Sequence, residues 1–267
     1  YRVTLKGRLD PTAATLQRIF EEVRARPKRV VFAEGEEESV IRAALAFRAN
    51  GYGTPVLIGR EERIRETLKQ MGLQAPTDLE VHNARLSKHN HTYRDYLYNR
   101  LHRRGFLERD CQRLVNQDRN VFAACMVACG DADALVTGAT RNYFDAFKQV
   151  KRVIGARPGH RVFGLAMLLS RGKVVFIADT TAHFSPTAEE LADIAVQSAA
   201  KARRMGQEPR VALLSFSNFG NPMLADVDRI REAVKLLDQK QTDFEYDGEM
   251  SADVALNFRL KIGRAHV

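Results

Sequence analysis

Tryptophan is absent from the 267-residue chain, and cysteine occurs only three times. Cys111, Cys125 and Cys129 are too few and too clustered for a disulfide framework, and an odd number fits a reducing compartment, so they read as buried thiols. Cys125 and Cys129 lie one helical turn apart on an apolar face, and no further Cys or His stands at zinc-site spacing, so no metal is expected. Long hydrophobic runs are also missing. The longest, residues 162–169, has Gly164 inside it and falls far short of the roughly 20 residues that cross a bilayer. With no signal-like segment at the start, the expectation is a soluble cytoplasmic protein with no membrane partner. No P-loop, no G-x-G-x-x-G, no nucleophile elbow and no metalloprotease helix occurs.

What is present is ordinary in amount and uneven in sign. Hydrophobic residues make up 45% and charged residues 28%, which places the chain among globular proteins and away from disordered or collagenous ones. Lys plus Arg total 42 against 33 for Asp plus Glu, a net charge of +9 that would suit nucleic acid, an anionic membrane or a polyanionic small molecule. The arginine-rich stretch 85–119, with His82, His89, His91 and His102 in or beside it, carries no nucleic-acid motif and no aromatic platform. It reads as a solvated helical face, and no nucleic-acid partner is expected.

The length favours two domains over one. Asp10-Pro11 is a cap and first-turn pair, followed by Leu16, Ile19, Phe20 and Val23 at helical spacing until Pro27. Residues 29–33 form a β-branched and aromatic run, then a turn, then helical spacing at Val40, Ile41, Ala44 and Leu45 closed by Asn50-Gly51. The same unit recurs at residues 55–58, 134–137 and 210–215, each followed by a helical pattern, which argues for an α/β fold with mainly parallel strands. Two passages break the alternation. Residues 87–130 read as nearly all helical. Residues 162–169 and 173–178 read as an antiparallel hairpin turning at Ser170-Arg171-Gly172, which is expected to join a mixed sheet. The expected organisation is a lead-in over residues 1–27, one α/β subdomain over 28–150, a second over 151–260, and a non-native tail over 261–267, of which residues 262–267 resemble a sequencing adapter read in frame.

In open α/β sheets ligands bind beyond the carboxyl ends of the strands, so the loops there are the candidate sites. These are Glu34-Gly35-Glu36-Glu37-Glu38, Thr137-Gly138-Ala139-Thr140-Arg141-Asn142, Asp179-Thr180-Thr181, and residues 215–221 (SFSNFGN). The second and fourth could hold an anion on backbone N–H groups, hydroxyls and a helix start. Such loops are also ordinary turns with helix caps, and Glu36 to Glu38 suit a helix N-terminus better than a metal. Thr187 and Glu190 have capping-box spacing. The residues expected to line a ligand cleft are Thr137, Gly138, Arg141, Ser215, Ser217 and Asn218, with Asp179 nearby.

The strings PKRVVFAEGEEESVIRAA, TPVLIG, GDADALVTGAT, FIADTTAHFSPTAEELADIAVQSAAKARRMGQEPRVALLSFS and YDGEMSADVAL closely resemble the phosphate acetyl/butyryl transferase family, over about residues 27–256. The lead-in, the RNYF string and NQDRNVFAACMVACGDADALVTG look most like the carboxyl-terminal domain of bacterial hybrid NADP-dependent malic enzymes. The resemblance implies two α/β subdomains with a cleft between them, as in isocitrate and isopropylmalate dehydrogenases, the first subdomain left incomplete. It also implies a homo-oligomer, acetyl-CoA or a related acyl-CoA as ligand, and a malic enzyme module in the same chain. NADP and Mg2+ or Mn2+ would serve that module, and no cofactor is implied for these residues themselves.

The resemblance also marks departures. Where transferases have a histidine and two threonines, this chain has Arg141, Asn142 and Tyr143, and Lys148 replaces an arginine, keeping charge without the bidentate fork. Ser217, Asn218, Phe219, Gly220 and Asn221 stand where the family has Ser-Thr-Lys-Gly-Ser. The family's serine-arginine and aspartate motif is missing after Leu256. These changes imply an effector-binding domain in which no residue acts catalytically. An active phosphate acetyltransferase is the alternative, and a basic nucleic-acid-binding domain a remote one.

Overall fold

The computed structural model describes residues 11–257 and 259, apart from 75, 171–172, 181 and 222–224. Asp10 of the expected cap, Arg171 and Gly172 of the hairpin turn, Thr181, and the tail 261–267 lie outside the described residues. The chain divides into two compact units: Phe20–Gly155, and the residues up to Ile19 together with those from Ala156 on. Helix α1 (Pro11–Ala25) contributes to both.

In the first unit, β1 (Lys28–Phe32), β2 (Gly53–Ile58), β3 (Glu80–His82) and β4 (Ala134–Val136) form a parallel sheet in the order β3-β2-β1-β4. Their registers run without a break, from Lys28 opposite Gly53 to Phe32 opposite Leu57 and from Val30 opposite Ala134 to Phe32 opposite Val136. Gly53 begins β2 with φ +152°, and any Cβ there would collide with the Lys28 backbone, so close strand entry requires glycine.

Both faces of the sheet are covered. Val30, Phe32 and Leu57 pack against Ile41 and Ala44 of α2 (Glu38–Ala49) and Ile64 and Leu68 of α3 (Glu61–Gln70). On the other face Val31, Val56 and Ile58 meet Tyr93, Leu97 and Leu101 of α4 (Asn90–Leu101), Cys111 and Val115 of α5 (Glu108–Gln117), and Val121, Phe122 and Cys125 of α6 (Arg119–Ala128). Spacing at i, i+4 and i+8 in α4 puts its buried side chains on one stripe. Cys111 and Cys125 are buried free thiols, and burial pushes both thiols up, away from the reactive thiolate. His91 and His102 face solvent, whereas His82 and His89 are half-buried and His82 bonds Glu80 at 2.6 Å, so the histidines do not form one solvated face.

The second unit holds two separate pairs of strands. β5 (Leu165–Ser170) and β6 (Lys173–Ala178) are antiparallel in one-to-one register from Leu165 opposite Ala178 to Ser170 opposite Lys173. Among the described residues this ribbon pairs only with itself, so the expected mixed sheet does not form. Periodicity reports which faces of a strand are apolar and carries no information on its lateral neighbours.

β7 (Arg210–Leu214) and β8 (Glu245–Met250) are parallel. They are covered by α8 (Ala188–Arg204) and α9 (Ala225–Lys240). Ala192, Ala195 and Ala199 line the buried stripe of α8 and let it approach Ala233 and Leu237 of α9 closely. Thr187 and Glu190 form the expected capping box, with Glu190 N–H on Thr187 Oγ1 at 3.3 Å and Thr187 N–H on Glu190 Oε2 at 3.0 Å. α7 (Tyr143–Val153) follows β4 in the first unit, and α10 (Ala252–Leu256) follows β8 in the second.

Candidate functional site

β1 has β2 on one side and β4 on the other, so the chain reverses direction across the sheet at the carboxyl ends of β1 and β4. That is the position where open α/β sheets accept ligands. The loops meeting there are fastened by Glu34, which is only 3% exposed. One carboxylate oxygen accepts the Gly138 and Ala139 N–H groups at 2.9 and 2.7 Å, and the other accepts the Thr140 N–H at 2.8 Å and its hydroxyl at 2.5 Å. Burial opposes ionisation of Glu34, but these four bonds together outweigh it and hold the carboxyl below its ordinary value. The anion cradled by the backbone of residues 138–140 is therefore internal.

The other predicted residues of this loop are also engaged. The Thr137 hydroxyl donates to Asn120 Oδ1 at 2.6 Å, and Asn120, 1% exposed, has no partner for its Nδ2 among the described residues. Arg141 meets Asp118 at 2.9 Å, and Asp118 also caps α6 through the Asn120 and Val121 N–H groups. Asn142 caps α7 by accepting the Phe144 N–H at 2.9 Å. Asp118 and Asn120 carry no site pattern in the sequence, and Glu34 stands there in a candidate loop without being among the residues expected to line the cleft. The available signal was Asp at cap spacing before an apolar helix; nothing local marked the 104-residue reach from Glu34 to Gly138.

Glu36 belongs to the same region. Its carboxylate accepts Arg60 Nε and N–H at 3.1 and 2.9 Å and lies 3.4 Å from Arg119. The Arg60 hydrogen bonds, aided by the Arg119 charge and opposed by burial, lower Glu36 to a pKa of about 2. A carboxyl depressed in the folded state stabilises fully above its unfolded value near 4.5 and loses that contribution as pH falls toward 2. The contribution is at most about 3 kcal/mol, reduced by solvent around exposed Arg60. The unfolding midpoint is expected to fall between about pH 5 and pH 3, and Glu36→Gln to flatten that dependence. Urea titrations at several pH values measure it.

In the second unit the loop after β7 repeats the arrangement. Glu249 of β8, 1% exposed, accepts the Ser217 hydroxyl and the Gly220 N–H, both at 2.8 Å, and Arg231 Nε of α9 at 2.7 Å. Burial raises its pKa, while Arg231, Ser217 and Gly220 together lower it below the usual range. Ser215 donates its N–H to the Met250 carbonyl at 2.9 Å, and its hydroxyl accepts the Ser217 N–H at 3.2 Å. Asn218 Oδ1 accepts both the N–H and the hydroxyl of Ser251, at 2.9 and 3.0 Å. Asp179 takes φ +54° after β6, and its carboxylate meets His183 Nδ1 at 2.9 Å.

The structure thus brings Thr137, Gly138 and Arg141 together on one loop, and Ser215, Ser217 and Asn218 on another. Each loop is folded around a buried glutamate, Glu34 in the turn after β1 and Glu249 within β8. Residues 14–265 match the phosphate acetyl/butaryl transferase family. The chain belongs to this family. Within it, the chain is 54% identical over 261 residues to the NADP-dependent malic enzyme of Rhizobium meliloti, covering 97% of this chain and 34% of that protein. It spans about a third of the length of the malic enzymes it matches. It is 31% identical over 234 residues to the phosphate acetyltransferase of Staphylococcus aureus, covering 85% of this chain and 70% of that one. A phosphotransacetylase crystal structure from Streptococcus pyogenes superposes with a TM-score of 0.85 at 28% identity, covering 94% of this chain and 77% of the other. The transferase family's α/β architecture is thus kept.

Proposed function

We propose that this chain is the transferase-like domain of a hybrid NADP-dependent malic enzyme, and that it binds acetyl-CoA or a related acyl-CoA as an allosteric effector without transferring the acyl group itself. The observation that carries this reading is 54% identity across nearly the whole chain to a malic enzyme about three times as long. The loop chemistry supports it. At the positions where transferases have a histidine and threonines, Arg141 is tied to Asp118 and Asn142 caps a helix. Neither offers a base for a thiol of intrinsic pKa near 8.5.

On this reading the residues that hold the acyl-CoA are Thr137, Gly138, Arg141, Ser215, Ser217 and Asn218, with Asp179 beside them. The subdomains comprise residues 28–150 and 151–260. The malic enzyme module of the same chain, in a cytoplasmic homo-oligomer, oxidatively decarboxylates malate to pyruvate and CO2 with NADP and Mg2+ or Mn2+. Effector binding couples to malate turnover by about 1 to 3 kcal/mol, a change of roughly 5- to 150-fold in affinity. Deleting the domain from the full-length protein is expected to abolish the response of malate oxidation to acetyl-CoA; a response left intact would contradict the proposal.

Active phosphate acetyl transfer is a second reading, favoured by the TM-score of 0.85 to a phosphotransacetylase. It predicts acetyl-CoA formation from acetyl phosphate and CoA by the full-length protein.

A further inference from the structure

Helix α7 presents two unlike faces. Ala146 and Val153 are buried on the inner side. Tyr143, Phe147 and Lys151 follow one another at four-residue steps along the outer side, with Phe144 and Lys148 in the adjacent row. Tyr143 is 43% exposed beside the loop of residues 137–142. The Tyr143 and Phe147 rings lie nearly parallel, 11° apart with centroids 5.6 Å from each other, and the Lys151 ammonium sits 5.8 Å from the Phe147 centroid. Asp145, the only acid of α7, stands about 160° around the helix from Tyr143 and about 60° from Lys148, at the edge of the cationic row. The outer face is therefore aromatic at its amino-terminal end and cationic at its carboxyl-terminal end, with no carboxylate of its own helix between.

We propose that this outer face of α7 docks the nucleotide portion of the effector, an aromatic base bearing phosphates, with Tyr143 and Phe147 stacking on the base and Lys148 and Lys151 meeting the phosphates. The inference takes the identity of the nucleotide from the acyl-CoA reading above; the face itself is argued from charge and ring geometry. Parallel rings offer an edge and a plane on which a base stacks regardless of its hydrogen-bonding pattern. A lysine held over an aromatic ring is already placed at its rim, and phosphate replaces water around it. Tyr143 and Lys151 are eight residues apart, about 12 Å along the axis, so base and phosphates engage different parts of the same stripe.

The test is calorimetric titration of the full-length protein with adenosine 3′,5′-bisphosphate, beside 4′-phosphopantetheine, which lacks the base. The bisphosphate is expected to bind and the pantetheine arm to bind far more weakly. The Lys148→Ala/Lys151→Ala pair and, separately, Tyr143→Ser are each expected to weaken the bisphosphate about tenfold, with unfolding midpoints unchanged because these side chains are exposed. Affinity should fall as salt is raised in the wild type and less steeply in the lysine pair. No binding by the wild type, or wild-type affinity in both variants, overturns the proposal. So does a change in sedimentation of the variants without any change in nucleotide binding, which would mark the face as a protein contact. If the bisphosphate binds here while malate oxidation ignores acetyl-CoA, the face stands and the effector reading fails; acetyl-CoA control that survives both variants unaltered sinks the face and leaves the effector reading.

Discussion

Replacing Glu34 by alanine is expected to destabilise the protein by about 3 to 5 kcal/mol, read as a fall in the urea midpoint of the transition that reports on the first unit. The carboxylate accepts three backbone N–H groups and the Thr140 hydroxyl, and alanine leaves all four donors beside a small void. A buried donor without an acceptor costs its desolvation, whereas the bonds it replaces were charge-assisted. Glu34→Gln keeps one acceptor oxygen but turns an NH2 group toward N–H donors, so it is expected to lose about half as much. The loss should diminish at low pH, where the wild-type carboxyl also gives up its charge, since folding holds its pKa below the ordinary value. Equal stability of the alanine variant and the wild type at neutral pH would show that residues 138–140 hold their shape without it.

The second large effect is at Glu249. Glu249→Ala is expected to cost about 3 kcal/mol, because it removes a buried acceptor of the Ser217 hydroxyl and the Gly220 N–H and leaves the half-buried Arg231 guanidinium with only its exposed partner Asp228. Arg231→Leu added to Glu249→Leu should recover part of the loss, since removing both charges of a buried pair is far less costly than removing one. The non-additivity, about 1 to 2 kcal/mol, is measurable by a double-mutant cycle in urea. The same variants test function separately from stability. If residues 215–221 belong to the acyl-CoA site, Glu249→Gln, which keeps the size of the side chain, should weaken acetyl-CoA binding more than it lowers the midpoint.

The alternation of strands and helices was legible where a short β-branched run is followed by an amphipathic stripe, as in α2 and α3, which Gly51 and Gly72 close. Residues 29–33, 55–58 and 210–215 are recognisable on these grounds. β3 and β8 were not. Glu80, Val81 and His82 have no strand pattern, and Glu245–Met250 contains two glutamates, an aspartate and a glycine. Both are strands because a neighbour, β2 or β7, offers a ladder, a tertiary effect that outweighs local preference. At the candidate site the small-residue loops were visible, and what organises them was not. Glu34 reads locally as the first acid of a helix-starting run, and Glu249 as a polar residue of a turn, yet each closes a loop from across a strand pair. The hairpin's lateral isolation was equally hidden, since alternation fixes faces and not neighbours.

The departures at Arg141, Asn142 and Asn218 acquire meaning from the same geometry. Each of these side chains has a partner within the domain, to Asp118, to the Phe144 N–H and to Ser251. On the proposed effector reading, such fastened loops matter more than a general base.

The most direct test is a pair of assays on the full-length protein: malate-dependent NADPH formation with and without acetyl-CoA, run beside acetyl-CoA formation from acetyl phosphate and CoA. The account predicts malate oxidation that responds to acetyl-CoA and no acyl transfer. Acyl transfer without malate oxidation would contradict it and make the protein a divergent phosphate acetyltransferase.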